Sequence, residues 1–280
     1  MSPSSNVRLM MTWMPSAGLG EIENAETWRA TLANSRLPHT PFCLWSTVRP
    51  PHPFDDESVC WHELKLPERI DRYERGTVAK GIWSPWGNKS GPNFQFFMQL
   101  EEMRTQHPEE WVLQIEGDTF LVGDDPGAEI ERLLEAHPEA WVIGAINHPK
   151  VLEVLDPLLH GHINGAAFYR VGSAEFRDFR RQVWIPTLIE LVGKVPSMAY
   201  DCASAPEVWD QLSKALHTGW LAGNSKFVRT FGMVNASTIA TRVLDDPRLN
   251  HDEIREGLAA EGALPWFLHT KLVTPRKAKP

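Results

Sequence analysis

The sequence predicts an α/β fold with a mostly parallel central sheet, and three observations indicate it. Short apolar runs with β character alternate with amphipathic, helix-like stretches. The best strand candidate, Trp111 to Ile115 (WVLQI), precedes a helix-like segment with Ile130 and Leu134 on one face, and Ala140 to Ile146 then returns as a strand. Such a strand, helix, strand unit favours parallel pairing. No repeat or low-complexity linker divides the chain, which favours one domain.

The start of the chain follows the same alternation. Val7 to Trp13 and Pro41 to Val48 are strand candidates, and a polar, helix-like stretch from Glu23 to Ala33 lies between them. We therefore expect the order strand, helix, strand before residue 50.

A helix is predicted to begin at Ser90-Gly91-Pro92, because serine or glycine can cap a helix and proline suits its first turn. Its apolar face should carry Phe96, Leu100 and Met103. The helix should end near Pro108.

The second half of the chain contains further elements beyond His162. These are two strand candidates and two helix candidates: Ala166 to Val171 (strand), Ala174 to Val183 (helix), Pro206 to Leu216 (helix) and Lys226 to Met233 (strand). We expect them to elaborate the same domain.

Composition excludes several classes of protein. Hydrophobic residues make up 42% and charged residues 23%, as in an ordinary globular protein. The formal net charge of -8 argues against a general nucleic-acid binder. Three widely spaced cysteines, Cys43, Cys60 and Cys202, indicate neither a disulfide framework nor a zinc site. With no long apolar run and no signal-like N-terminus, we expect no transmembrane segment and a cytoplasmic location.

The acidic turn Glu116-Gly117-Asp118 follows the best strand candidate directly. Open α/β sheets bind their ligands at the carboxyl ends of their strands. Two carboxylates one residue apart can both reach one hard cation such as Mn²⁺ or Mg²⁺, because Gly117 lets the backbone turn between them. The cation would in turn bridge a diphosphate. The alternative is a solvated acidic turn without a ligand.

This turn resembles that of the GT-A glycosyltransferases, whose nucleotide-binding sheet ends in Asp-x-Asp or Glu-x-Asp. The resemblance covers most of the chain in order. It implies a nucleotide-sugar donor, such as a UDP- or GDP-sugar, and a metal held by Glu116 and Asp118. By the same resemblance, the loop and helix start before the acidic strand bind the donor through Asn88, Lys89 and Asn93.

The resemblance extends to three later segments. Asn164, in the loop His162 to Tyr169, would read a sugar hydroxyl, and Asp201 would orient the acceptor hydroxyl or act as its general base. His269 would complete the metal shell and Lys271 would neutralise the diphosphate. Each of these residues alone could instead be structural or merely solvated.

The predicted activity is transfer of a sugar from a nucleoside diphosphate to a hydroxyl acceptor. Residues 7–150 would bind the nucleotide sugar, residues 151–272 would form the acceptor side, and residues 273–280 would be a basic tail. Trp83 and Trp86 could stack on the sugar. Two alternatives stay open: a metal-dependent phosphoester hydrolase, and a non-catalytic carbohydrate-binding protein on the same scaffold.

Overall fold

The computed structural model describes fifteen stretches of the 280-residue chain, namely residues 6–13, 29, 32–33, 35–54, 57, 59–71, 84–108, 111–116, 119–121, 126–146, 157–205, 208, 225–229, 233–235 and 267–269. Their strands are β1 (Val7–Trp13), β2 (His39–Trp45), β3 (His62–Lys65), β4 (Trp111–Ile115), β5 (Thr119–Leu121), β6 (Val142–Gly144), β7 (Ala167–Tyr169), β8 (Phe227–Arg229), β9 (Met233–Asn235) and β10 (Phe267–His269). Their α-helices are α1 (Ser90–Gln106), α2 (Pro126–Ala136), α3 (Ala174–Phe179) and α4 (Ile185–Lys194).

Seven of the described strands form one sheet in the order β3-β2-β1-β4-β7-β6-β8. All neighbouring pairs are parallel except those of β7, which runs antiparallel to both β4 and β6. The α/β fold with a mostly parallel central sheet is therefore confirmed. The strand β4 has the bounds predicted from the sequence, and all five of its residues are buried, as expected for a sheet covered on both faces.

The two faces of the sheet carry two apolar clusters. Met10 and Val112 face the cluster that contains α1, whereas Leu9 and Leu113 face the cluster that contains Ile130 of α2. Successive side chains of a strand point to opposite faces, so each central strand contributes to both clusters. This burial holds the carboxyl end of β4 in a fixed position.

A second sheet has the order β5-β10-β9. Its register places His269 opposite Thr119 in an antiparallel pair, and opposite Asn235 in a parallel pair. Thr119 is the residue directly after Asp118. The late strand β10 thus pairs with the segment directly after Asp118.

Helix α1 begins at Ser90, as predicted, and buries Phe96, Leu100 and Met103. The predicted capping role of the serine is wrong. Lys89 occupies the N-cap position without a side-chain hydrogen bond, and the Ser90 hydroxyl donates to the Ile70 carbonyl at 2.7 Å. The serine therefore ties the helix to an earlier segment of the chain.

The helix predicted over residues 174–183 is longer than expected. It starts after Ser173, whose Oγ accepts from the Phe176 N–H at 3.1 Å, and it continues through a π-helical turn, Arg180–Trp184, into α4. Pro186 has no N–H to offer the preceding turn, so a change of hydrogen-bond pattern just before it is expected. The helix predicted from the sequence ended within this turn, at Val183, whereas the observed helix continues through it into α4.

The strand predicted over residues 226–233 is wrong as one element. β8 belongs to the large sheet and β9 to the small one, because a run of strand-forming residues does not reveal where a chain passes between sheets. The predicted helix at 206–216 and that at 23–33 lie almost wholly outside the described residues. Within the described part, no helix is both long and apolar enough to cross a bilayer.

Candidate functional site

Glu116 lies at the carboxyl end of β4 and is half-buried. β4 is parallel to β1, with Ile115 in register with Met11, so Glu116 stands at the edge where the central parallel strands end. This is the edge at which open α/β sheets bind ligands. Asp118, the second predicted acid, and Lys271 lie outside the described residues.

Gly165 brings a second chain segment against Glu116. A Cβ atom on Gly165 would lie 3.0 Å from Glu116 Oε1 and only 2.1 Å from Tyr200 Oη. Real Cβ atoms do not approach other atoms so closely, hence only glycine fits here. The structure places Tyr200 and the carboxylate of Glu116 against this glycine.

Two buried tyrosines complete the cluster around Gly165. Tyr169 Oη donates to the Gly165 carbonyl at 2.8 Å, and Tyr200 Oη accepts from Gln114 Nε2, also at 2.8 Å. Burial is the main cause that raises the pKa of both phenols well above the usual value, and Glu116 adds to it. Both tyrosines are therefore neutral hydroxyl groups at physiological pH.

Asp201 belongs to the same cluster. It follows Tyr200 in a 3₁₀ turn, Tyr200–Ser204, and its charge adds to the rise in pKa of both tyrosines. Its Oδ1 accepts from the Cys202 N–H at 2.9 Å. The fold thus brings Asp201 and Glu116, which are far apart in sequence, to one pair of phenols.

The turn that carries Asp201 is fastened to the loop before β7. Ser204 Oγ accepts from the Ile163 N–H at 2.9 Å and donates to the Asp201 carbonyl at 2.6 Å. Asn164 is 7% exposed; its N–H donates to the Ala145 carbonyl at 2.9 Å and its Oδ1 accepts from the Ala166 N–H at 3.3 Å. At least one side-chain atom of Asn164 therefore shapes the loop itself.

The three residues predicted to bind the nucleotide sugar, Asn88, Lys89 and Asn93, differ in burial and in hydrogen bonding. Asn93 is fully buried, and its Nδ2 donates to the carbonyls of Trp86 at 2.9 Å and Met198 at 3.1 Å. The Asn88 N–H donates to the Pro196 carbonyl at 2.7 Å. Lys89 is half-buried.

Lys89 lies on the side of the acidic cluster. Burial first, and Asp201 second, raise the pKa of the Cys202 thiol to about 12, while the charge of Lys89 acts in the opposite direction. The ammonium of Lys89 and the carboxylate of Asp201 therefore act on the same thiol. Because its pKa is so high, Cys202 is not a thiolate nucleophile at neutral pH.

Of the residues predicted to hold a metal ion, Glu116 and the backbone of His269 lie within the described part of the chain. Among the described residues, no three His, Cys, Asp or Glu side chains are grouped so as to hold a metal ion. Glu116 supplies one carboxylate. The backbone of His269 pairs with Thr119, the residue that follows Asp118. The predicted ligands, two carboxylates and one histidine, suit Mg²⁺ or Mn²⁺. Glu116 at a strand end fits the predicted group.

Sequence reasoning left the roles of Gln114, Tyr169 and Tyr200 unassigned. Gln114 is a polar residue in an otherwise apolar strand, and this was the available signal. A buried amide needs a partner, and its partner is the phenol that lies against Gly165. The tyrosines gave no comparable signal, because the position of Tyr169 depends on how β4 and β7 pair and that of Tyr200 depends on where the turn Tyr200–Ser204 packs.

No protein-family model matches the chain, and no curated protein sequence matches it. Solved structures do. The galactosyltransferase LgtC in complex with donor and acceptor sugar analogs is 9% identical, with a TM-score of 0.48 over 94% of this chain and 86% of that one. Mouse xyloside xylosyltransferase 1 in its apo form is 8% identical, with a TM-score of 0.46 over 96% and 98%.

The bifunctional glycosyltransferase WbbM is 12% identical, with a TM-score of 0.45, and 94% of this chain covers 45% of that one. At such identities and scores the likeness is distant. In fold, the chain is distantly similar to these solved glycosyltransferases.

Proposed function

We propose that the protein is a glycosyltransferase that moves a sugar from a nucleoside diphosphate sugar to a hydroxyl acceptor. One observation supports this most: Glu116 at the end of β4 lies against Gly165 and Tyr200, and the charge of Asp201 acts on the same tyrosines. Two acids from distant segments at the ligand-binding edge of a sheet suit a reaction in which one end of the substrate is a diphosphate and the other is a hydroxyl.

In this proposal Glu116, together with Asp118 and His269, holds a divalent cation such as Mn²⁺ or Mg²⁺. When bound, the cation supplies positive charge that favours departure of the nucleoside diphosphate. Lys89 and Lys271 add positive charge on the diphosphate side. This assignment keeps the roles that the resemblance implies for the acidic turn.

Asp201 orients the acceptor hydroxyl and accepts its proton. One carboxylate oxygen is held by the Cys202 N–H, which fixes the direction of the side chain. A base of this kind has to lie within hydrogen-bond reach of the proton that it takes. Asn164 contributes to sugar recognition in this proposal through the loop that it shapes.

Tyr200 and Tyr169 act as neutral hydroxyl groups that position the acids. Their pKa values stay well above 10, mainly because they are buried and also because Glu116 and Asp201 are near. Tyr169 already donates its proton to the Gly165 carbonyl. Tyr200, which accepts from Gln114, keeps its O–H and can donate to a carboxylate or to a sugar oxygen without adding negative charge. We infer that they preserve the arrangement of the two acids when substrate enters.

The first test measures nucleoside diphosphate release from a panel of UDP- and GDP-sugars with Mn²⁺ or Mg²⁺, with and without saccharide acceptors. Glu116→Gln and Asp118→Asn should each lower turnover by about a hundredfold or more, because removal of one group that stabilises transition-state charge has this effect. Glu135→Gln on α2 is the matched control, since Glu135 is exposed, and it should retain full activity.

The alternatives predict different outcomes in the same assay. A phosphoester hydrolase releases product to water at a rate that no saccharide acceptor changes, and it cleaves a simple phosphodiester. A non-catalytic carbohydrate-binding protein binds saccharide without Mn²⁺ and releases no diphosphate. Full activity of purified Glu116→Gln would exclude the proposed role of the acidic turn.

A further inference from the structure

A cavity of about 240 Å³ lies between α1 and the helix that runs from α3 into α4. Its apolar wall consists of Trp86 from the loop before α1 and of Phe94, Phe97 and Met98 from α1. Trp86 and Phe94 meet edge to face, with ring centroids 5.5 Å apart. The cavity is thus suited to the flat or hydrocarbon body of a small molecule.

The polar wall contains a buried arginine with unused donors. Arg180 is 3% exposed, and its Nε and Nη2 atoms make no hydrogen bond. The nearest carboxylate oxygen of Glu101 is 3.6 Å from Nη2, which is too long for a hydrogen bond. Buried guanidinium groups normally satisfy their donors, so these two donors call for an explanation, and a bound anion would provide one.

The charges around the cavity favour an anion. Glu101 Oε1 accepts from Arg104 Nη2 at 2.7 Å and from Arg181 Nη2 at 3.2 Å, and Arg180 shares the same carboxylate. Three guanidinium charges thus face one carboxylate charge, which leaves two positive charges in excess. Of the three arginines, Arg180 is the buried one, and a buried positive charge is costly unless an anion compensates it.

The arginines also lie on an irregular part of the helix. Arg180 and Arg181 are the first residues of the π-helical turn Arg180–Trp184, and π-helical turns occur frequently at functional sites. Pro186 explains why the helix changes its pattern at this place. The neighbouring guanidinium groups of Arg180 and Arg181 therefore both line the cavity.

The cavity is separate from the acidic cluster. Phe96 stacks on Tyr200 with ring centroids 3.9 Å apart, whereas its neighbour Phe97 lines the cavity. Aromatic side chains of α1 therefore lie between the two places. Neither Glu116 nor Asp201 is among the described residues that line the cavity.

We propose that this cavity is a second ligand site, which binds a small organic carboxylate with an aromatic or aliphatic body. The carboxylate pairs with Arg180, because a planar guanidinium matches a carboxylate with two parallel hydrogen bonds. The body packs on Trp86 and the phenylalanines of α1. Glu101 competes with the ligand for the same arginine.

Calorimetric titration of the full chain with 4-phenylbutyrate, and with 4-phenylbutan-1-ol as its uncharged counterpart, tests the site. The acid should bind about tenfold or more tightly than the alcohol, because a charged hydrogen-bonded pair is lost with the carboxylate. Arg180→Gln should weaken binding of the acid by about tenfold while leaving the alcohol unchanged. Arg132→Gln, an exposed arginine of α2, is the matched control and should leave both unchanged.

Glu101→Gln provides a test in the opposite direction. With its competitor removed, Arg180 should bind 4-phenylbutyrate more tightly, by about threefold or more. A purely structural role of the ion pair predicts no such gain. No binding of the acid to the wild-type chain, equal binding of acid and alcohol, equal loss in Arg132→Gln, or unchanged or weaker binding in Glu101→Gln would each overturn the proposal.

Discussion

Gly165 shows at the scale of one residue how packing and function are linked. Its lack of a side chain lets Tyr200 and Glu116 approach the loop before β7. The same residue accepts, through its carbonyl, the hydrogen bond of Tyr169 at 2.8 Å. One glycine therefore joins both tyrosines to the acid at the end of β4.

Gly165→Ala should destabilise the protein by about 1–3 kcal/mol, because the new methyl group forces Tyr200 to move. It should also reduce transfer activity, since Tyr200 and Glu116 both lie against Gly165. Gly193→Ala in α4 is the matched control: no atom lies within 4 Å of the added Cβ, and the substitution should stabilise the helix by up to about 1 kcal/mol. Urea unfolding and the diphosphate-release assay measure both effects. A Gly165→Ala variant as stable and active as the wild type contradicts the geometry.

At the scale of an element, the loop before α1 is held by one side chain. Asn93 bonds through Nδ2 to the carbonyls of Trp86 and Met198, and Gly87 has a φ of 74°, a conformation that favours glycine. A Cβ on Gly87 would lie 2.5 Å from the Pro196 carbonyl oxygen. These contacts set the course of the loop, which leads through Lys89 into α1 and places Trp86 at the cavity.

Asn93→Ala tests whether this asparagine is structural or binds the donor. If it holds the loop, the variant loses about 1–3 kcal/mol of stability, because two buried carbonyls lose their donor. Gln106→Ala, an exposed amide at the other end of α1, should change stability little. Denaturant unfolding gives the stability, and calorimetry with UDP and GDP gives the affinity per folded molecule. Unchanged stability with a weakened nucleotide affinity would show instead that Asn93 contacts the donor.

At the scale of the whole molecule, the large sheet joins both halves of the chain. β7, from the second half, lies between β4 and β6 of the first half, and β6 pairs otherwise only with β8 among the described strands. The boundary expected near residue 150 therefore passes through the hydrogen bonding of one sheet. The acidic cluster also contains residues from both halves of the chain, since Glu116 comes from the first half and Asp201 from the second.

A fragment of residues 1–150 should consequently not fold by itself. Without β7 and β8, β6 has no partner, and the fully buried strand β4 has an unpaired edge, which promotes aggregation. We expect no cooperative thermal transition and no near-UV circular dichroism signal, both of which the full chain should show. A cooperative transition in the isolated fragment would mean that the first half is an independent folding unit.

The sequence by itself determined the class of fold, the bounds of β4, the start of α1 and the position of Glu116 at a strand end. These features are local: apolar periodicity, a proline in the first turn and carboxylates directly after a buried strand all act within a few residues. For the same reason the sequence could assign Glu116 to the sheet edge before any contact was known.

Only the tertiary structure decided which segments meet. Strand order and helix packing, which no local pattern encodes, decide the insertion of β7 between β4 and β6, the placement of Tyr200 and Glu116 against Gly165, and the cavity around Arg180. Ser90 illustrates this in a single residue. Its hydroxyl is suited to capping a helix, but in the folded chain it donates to the Ile70 carbonyl instead. Contacts between distant segments follow from the burial of all apolar faces at once, and that is a property of the whole chain.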